Sequence, residues 1–321
     1  MGSAGSLVAP DLTQAAPVDG GPSRPYLPYG RNSYFKSRVD DATIHHRRTR
    51  AFRAFMASHP DQRGFDHPRI NGVRGNMWGT AFAMGDANDP VWRIRRRSND
   101  NPRGRFLHTR GFHAPGWLGE VISGTSDSPV CVVDRVAGVT IFLTKARVAG
   151  GRRLDVEHAS VTYHRSNGLD YRNPRSNDRR NFSSRGRISD AMVIRRDLVR
   201  HGVNNNTDLG HVLHLFLAET NSRDGFRHPM TGAEDGKRGF GAEGERLAIH
   251  PRVNLRRRGL SPEALVIART LQRYGCYIGD NSGSATCLKA EQETRAHPVW
   301  RGRLGRDALE GITWDDFVVV R

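Results

Sequence analysis

The run from His211 to Ala218 is the most apolar stretch of the chain, and it constrains the fold more than any other feature. An apolar run without polar alternation is typical of a strand that is buried on both faces. We therefore predict a central strand here. A chain of 321 residues is long enough to cover both faces of such a strand without disulfide bonds.

The clearest helix is predicted over residues 262–274. Ser261 is suited to the N-cap, Pro262 to the first helical position and Gly275 to the left-handed position that ends a helix. A short strand, Cys276–Gly279, follows and ends at Asp280.

Weaker patterns predict the remaining elements. Apolar residues at helical spacing indicate a helix over 43–58, which Pro60 ends. The other predictions are a hairpin of Val130–Asp134 and Val139–Leu143, a strand over Leu154–Tyr163, a helical turn at Asp197–His201 ended by Gly202, a polar loop over Asp86–Arg105, and a last strand over Trp314–Val320.

These elements predict one α+β domain over residues 26–321. Its core is expected to be a mostly antiparallel sheet or barrel-like, with two or three packed helices and long loops. Residues 1–25 are rich in Gly, Pro and Ala and are predicted to be a flexible leader without the features of a secretory signal. The sequence contains no repeat or heptad pattern, so a fibrous shaft is not expected.

Several kinds of site are disfavoured by the sequence. The three cysteines (Cys131, Cys276 and Cys287) form no C-x-x-C pair, so a disulfide scaffold or cysteine zinc site is not expected. Gly239–Gly244 matches G-x-G-x-x-G but lacks the preceding strand and following helix of a dinucleotide site. We expect no cofactor, no metal and no membrane span.

The net charge of +17 has two explanations. It can serve a polyanionic partner such as nucleic acid, teichoic acid or an acidic glycan, whose binding is then weak and salt-sensitive. Only four of the 50 basic residues are Lys, however, and such a bias toward Arg is also expected from a GC-rich genome. The composition leaves both explanations open.

Carboxylates stand at the ends of several predicted strands. Asp134 follows one apolar run, Glu219 ends the central strand, and Asp280 follows the strand after the best helix. Glycoside hydrolysis needs two carboxyl groups roughly 5–10 Å apart. Loop capping or surface ion pairing is the alternative role of each carboxylate.

Several segments resemble minor tail proteins of actinobacterial phages, from about Tyr26 to the C-terminus. The segments that carry the resemblance are Asn71–Gly72, Gly75–Met84, Arg110–Trp117, Gly124–Pro129, Asp280–Gly283, Ala290–Glu293 and Trp314–Phe317. The resemblance implies a virion tail protein that contacts other tail proteins and a host cell-wall glycan.

A weaker resemblance covers residues 130–283 and concerns secreted soil-bacterial proteins of unsettled activity. It is carried by Val132–Arg135, Arg165–Asn167, Gly210–His211, Tyr274–Gly275 and Asp280–Asn281. Gly210 and Gly279 depart from the Arg and Ala of that group. This resemblance implies a polar cleft built from Asp134, Asn167, His211 and Asp280, and it leaves secretion open as an alternative location.

Together these features predict a protein that binds, and as one alternative hydrolyses, an envelope polysaccharide. In a hydrolase, Asp134 and Asp280 are the expected acid/base pair and His211 assists them. The expected substrate contacts are Asn167, Asp170 and Trp117, although burial in the core is the alternative fate of the tryptophan. A purely structural tail component is the second hypothesis and a basic nucleic-acid-binding protein the third, which charge alone supports. Homo-oligomerisation stays open.

Overall fold

A computed structural model describes residues 25–39, 43–96, 106–168 and 189–321. The predicted leader, apart from Pro25, and the predicted substrate contact Asp170 lie outside these ranges. The α-helices are α1 (His46–Ser58), α2 (Phe106–Thr109), α3 (Arg196–Asn205) and α4 (Pro262–Arg273). Short 3-10 helices span Tyr34–Lys36, Pro60–Gln62, Gly116–Val121, Ser189–Met192, Leu255–Arg257 and Trp314–Asp316.

The strands are arranged in three sheets. In chain order they are β1 (Arg69–Asn71), β2 (Ala81–Gly85), β3 (Val91–Arg96), β4 (Phe112–His113), β5 (Val130–Asp134), β6 (Val139–Thr144), β7 (Arg147–Val148), β8 (Arg153–Val156), β9 (His158–Tyr163), β10 (Leu213–Leu217), β11 (Arg246–Ile249), β12 (Cys276–Asn281), β13 (Cys287–Lys289) and β14 (Phe317–Val320). The first sheet has the order β1-β13-β10-β12-β11-β14, the second β2-β5-β6-β9 and the third β4-β3-β8-β7.

The predicted central strand is confirmed. All five residues of β10 are buried, and the strand lies between β13 and β12 in the six-stranded sheet. Its pairing with β12 is parallel, whereas its pairing with β13 is antiparallel. The largest apolar cluster surrounds this sheet and includes residues of α1, α3 and α4.

Helix α4 begins at Pro262, as the sequence predicts, and ends at Arg273, one residue before the predicted end. The Ser261 hydroxyl accepts a hydrogen bond from the Ala264 N–H at 3.2 Å, and Gly275 has a positive φ of 66°. The predicted end of α3 at Gly202 is wrong, because the helix continues to Asn205. Gly202 is instead a contact point, where an added Cβ would come within 2.5 Å of Val266 on α4.

Two further predictions are corrected by the second and third sheets. Leu154–Tyr163 is not one strand, because it divides at Glu157 into β8 of the third sheet and β9 of the second. The supposed polar loop Asp86–Arg105 contains β3, in which Trp92 and Ile94 enter a second apolar cluster. Arginines alternate with these two residues, and they give the segment its polar composition.

The described chain is α+β with a core dominated by sheets, as predicted. Seven of its eleven strand pairings are antiparallel, and none of the three sheets closes into a barrel. Within the described residues, no helix is long and apolar enough to cross a membrane.

Candidate functional site

Asp280 lies at an irregularity between the two central strands of the large sheet. Leu215 pairs with Ile278 and the next residue, Phe216, pairs with Asp280, so Gly279 is an extra residue in β12. A bulge of this kind changes the direction of the side chains that follow it. Gly279 is required here because a Cβ would lie 2.0 Å from Nε2 of His214.

Asp280 belongs to a cluster of three carboxylates, which we call the acidic cluster. Its other members are Glu234 and Glu243, and one potential ligand atom from each residue lies within 4.8 Å of the others. Glu243 is only 1% exposed, whereas Glu234 and Asp280 are partly exposed. The Glu243 carboxylate is therefore enclosed, whereas those of Glu234 and Asp280 reach solvent.

Hydrogen bonds fix two of these carboxylates in place. The Thr220 N–H donates to Oδ1 of Asn281 at 2.6 Å, which directs the Asn281 amide group toward Oε2 of Glu234, also at 2.6 Å. The Glu234 N–H donates to Oε1 of Glu243 at 2.9 Å. Asn281 of β12 thus holds the Glu234 side chain, and the backbone of Glu234 holds the Glu243 side chain.

The glycines of the G-x-G-x-x-G motif allow this segment to fold against itself. A Cβ on Gly239 would lie 2.2 Å from the carbonyl oxygen of Glu219, and one on Gly244 would lie 1.9 Å from that of Arg227. Gly241 and Gly244 also have positive φ angles of 74° and 92°. The motif therefore packs the chain closely beside Glu243.

An exposed aromatic residue, Phe226, is joined to the acidic cluster through its backbone. Phe226 forms a parallel bridge with Glu243, and it is 49% exposed. The backbone on both sides of it is held, because the Arg227 N–H donates to the Glu243 carbonyl and the Glu243 N–H donates to the Gly225 carbonyl. An exposed aromatic residue whose backbone is bridged to a residue of the acidic cluster is suited to a ligand with both apolar and hydroxyl-bearing faces.

The acidic cluster supports two kinds of chemistry. Neighbouring carboxyl groups can act as the acid and the nucleophile or base of glycoside hydrolysis, and separations of about 5 Å belong to the retaining reaction. Carboxylate oxygens are also the ligands that hard cations such as Ca²⁺ and Mg²⁺ prefer. Glu234, Glu243 and Asp280 are the residues that could hold such an ion.

Asp134 serves a different purpose from the one predicted. Its carboxylate is fully buried and accepts three backbone hydrogen bonds at 2.9 Å, from the N–H groups of Val136, Ala137 and His113. The first two close the turn between β5 and β6, and the third joins β5 to β4. Asp134 is therefore a buried capping residue.

His211 is also part of the core. It is 0% exposed and stacks on Phe35 with ring centroids 4.7 Å apart. Its Nδ1 donates to the Val212 carbonyl at 2.8 Å, and desolvation lowers the pKa of its imidazole to about 3. A neutral, enclosed imidazole of this kind is a weak base for catalysis.

The predicted convergence of Asp134, His211 and Asp280 is not seen. Among the described acidic, histidine and cysteine side chains, the acidic cluster is the group of three whose ligand atoms lie within 4.8 Å of one another. Of the predicted catalytic residues, only Asp280 belongs to it.

The predicted substrate contacts lie in separate places. Asn167 is exposed in the turn after β9. Trp117 is partly buried against the second apolar cluster and stacks on His297 with centroids 4.1 Å apart. Trp92 is buried, which was the alternative considered for tryptophan, whereas Trp78 is 44% exposed.

A separate polar cavity of about 310 Å³ lies along helix α3. Arg196, Arg200 and His201 line it together with Asn204 and Asn205. Near the start of this helix the Arg196 N–H donates to Oε1 of Glu291 at 3.1 Å. Although part of Glu291 reaches solvent, desolvation of its carboxyl group raises the pKa to about 8, and the nearby Asp197 adds to this effect.

Sequence reasoning missed Glu234 and Glu243. Glu243 lies within the glycine motif itself, and Glu234 lies in the polar segment that precedes it. The concentration of glycines and carboxylates over residues 234–245 was the available signal. It indicates a loop folded tightly around acidic side chains, but it does not specify their partner Asp280.

No family model, no curated protein and no solved structure matches this chain.

Proposed function

We propose that this chain is a phage minor tail protein that binds an envelope polysaccharide of its host at the acidic cluster. The observation that carries the binding site is the grouping of Glu234, Glu243 and Asp280 within 4.8 Å, with the exposed Phe226 bridged through its backbone to Glu243. The assignment to a phage tail rests on the sequence resemblance.

The chemistry of a sugar matches both parts of this site. Carboxylates accept hydrogen bonds from sugar hydroxyl groups, and the Phe226 ring offers an apolar surface to the C–H face of a pyranose. The arrangement is held by backbone and amide hydrogen bonds before any ligand arrives. A site that is ordered in advance loses less entropy when it binds.

Hydrolysis of the bound polysaccharide is a second candidate function, favoured by the short separation of the carboxylates. In this case one carboxyl group of the cluster protonates the leaving oxygen and another attacks the anomeric carbon or activates water. The Asp134–His211–Asp280 assignment is replaced by residues of the acidic cluster, with Asp280 retained.

A retention assay tests the binding function. The purified chain is incubated with insoluble actinobacterial cell-wall material in high salt, which screens contacts with anionic wall polymers. The bound fraction is measured for wild type, Asp280→Asn and Phe226→Ala. Both substitutions should weaken retention at least tenfold. Glu310→Gln is the matched control, because this carboxylate is exposed and does not belong to the acidic cluster, and it should bind like wild type.

Release of reducing ends from the same material tests hydrolysis. Wild type should release sugar and Asp280→Asn should release none, while the melting temperatures stay close. Repeating the retention assay with EDTA and with added Ca²⁺ determines whether a cation contributes to binding. If wild type is not retained on any envelope preparation, the structural tail-component hypothesis replaces this one.

A further inference from the structure

The outward face of the third sheet carries a concentration of arginines. Strand β3 directs Trp92 and Ile94 into the second apolar cluster and leaves Arg93 and Arg95 exposed. Exposed arginines on the neighbouring strands and their turn complete this surface, which we call the arginine face. Its members are Arg93, Arg95, Arg147, Arg152 and Arg153.

Strand register places positive charges side by side on this face. Arg93 pairs with Arg153 across the parallel β3–β8 ladder, where paired side chains point to the same side of the sheet. Two residues further along these strands, on the same face, Asp155 of β8 pairs with Arg95 of β3 on one side and with Arg147 of β7 on the other. Like charges in direct register are destabilising, so this pattern is unfavourable unless an anion compensates it.

Among the described residues, Asp155 is the carboxylate that forms an ion pair with this face. Asp155 accepts two hydrogen bonds from Arg95, at 2.8 and 2.7 Å, so its charge is already paired. Within the described part of the chain, no carboxylate forms an ion pair with Arg93, Arg147, Arg152 or Arg153. The face therefore has a net positive charge that the described chain does not neutralise.

Neutral acceptors hold two of the guanidinium groups. Arg93 donates from Nε to the Thr109 carbonyl at 3.0 Å. Arg147 donates to Oγ of Ser128 at 2.6 Å and to the Thr125 carbonyl at 3.2 Å. These contacts orient the side chains without cancelling their charge, so part of the entropy of ordering them is already lost before a ligand binds.

We propose that the arginine face binds an anionic polymer of the host envelope with phosphodiester groups along its backbone. The planar guanidinium group matches a phosphate with two parallel hydrogen bonds. Proteins that bind single-stranded nucleic acid add exposed aromatic rings on which bases stack, whereas Trp92 and Phe112 of this sheet are buried. The choice of an envelope polymer over nucleic acid rests on the proposed function, while the anion-binding property of the face does not.

The test compares two triple variants that lose the same charge. The first is Arg93→Gln, Arg152→Gln and Arg153→Gln on the face. The control is Arg252→Gln, Arg256→Gln and Arg257→Gln, exposed arginines beside the six-stranded sheet. Arg95 is left unchanged because its loss would leave the buried Asp155 carboxylate without its ion-pair partner. The probes are soluble poly(glycerol phosphate) and double-stranded DNA at equal phosphate concentration.

Wild type should bind poly(glycerol phosphate) at low salt. If about four phosphates are neutralised, affinity should fall roughly 50-fold between about 50 and 200 mM salt. The face variant should bind at least tenfold more weakly than wild type, and the control variant less than threefold. The face variant should melt at the same or a higher temperature, because neutralisation removes repulsion between Arg93 and Arg153.

Three results would overturn the proposal. Equal losses in both triple variants would assign binding to total charge, and tighter binding of DNA would assign the face to nucleic acid. Absence of poly(glycerol phosphate) binding by wild type would exclude the ligand class. Asp280→Asn should retain polymer binding, so failure of the acidic cluster as a glycan site and failure of the arginine face give different results.

Discussion

Replacing Asp134 distinguishes a capping carboxylate from a catalytic one. Both oxygens of Asp134 are engaged: Oδ1 accepts the N–H groups of Val136 and Ala137, and Oδ2 accepts that of His113. Asp134→Asn can keep the two bonds to Oδ1. Its amide nitrogen then faces the His113 N–H, so one buried donor loses its acceptor.

The structure sets the expected size of the effect. A buried donor left without a partner costs about 1–3 kcal/mol, so Asp134→Asn should destabilise the protein by that amount. Asp134→Ala removes all three hydrogen bonds and should cost about 3–5 kcal/mol. At about 2 °C per kcal/mol for a chain of this length, the melting temperature should fall by about 2–6 °C and 6–10 °C respectively.

Thermal unfolding followed by circular dichroism measures these shifts. Asp315→Asn is the control, since Asp315 is exposed, and it should change stability by less than about 0.5 kcal/mol. Retention on cell-wall material, normalised to folded protein, should be unchanged in Asp134→Asn. A variant that melts like wild type but loses retention would refute the capping role and return Asp134 to the site.

Three other predictions concern buried groups. Desolvation raises the pKa of Glu291 from 4.5 to about 8, so its carboxyl group costs stability increasingly as the pH rises from about 4.5 to about 8, where the unfolded chain is ionised and the folded chain is not. Glu291→Gln should therefore gain melting temperature relative to wild type between pH 5 and pH 8, and a constant difference over that range would contradict this. Gly279→Ala should destabilise the protein by at least about 2 kcal/mol in urea unfolding, because the new Cβ meets the His214 ring at 2.0 Å, and an unchanged midpoint would show that the ring moves freely. The three cysteines are buried, and desolvation raises the pKa of Cys276 to about 12 and that of Cys287 to about 11. A thiol reagent should therefore label no cysteine in native protein and all three in urea, and labelling of the native protein would contradict their burial.

The position of Asp280 illustrates how far the sequence led toward the site. Its place after a short apolar run predicted a side chain at the end of a strand, and in the structure β12 continues through Asp280 and ends one residue later, at Asn281. The same reasoning selected Asp134, which also ends a strand but faces backbone N–H groups. The sequence pattern is the same in both cases, because the number of donors that surround a carboxylate depends on segments distant in the chain.

The elements predicted correctly are those whose determinants are local. Helix α4 has its cap, its proline and its terminal glycine within a few residues, and β10 is recognised by an uninterrupted apolar run. The hairpin of β5 and β6 likewise joins neighbouring segments. Local hydrogen bonding and side-chain burial are sufficient to define such elements, so the sequence by itself determined them.

Only the tertiary structure decided which polar groups meet. The acidic cluster depends on a bulge in β12 and on contacts such as that between Asn281 and Glu234, which are 47 residues apart. The arginine face depends on the pairing of β3 with β8, whose paired residues Arg93 and Arg153 lie in segments separated by the whole second-sheet hairpin. Such neighbours are fixed by strand register, and register follows from the packing of complete sheets rather than from any local pattern of residues.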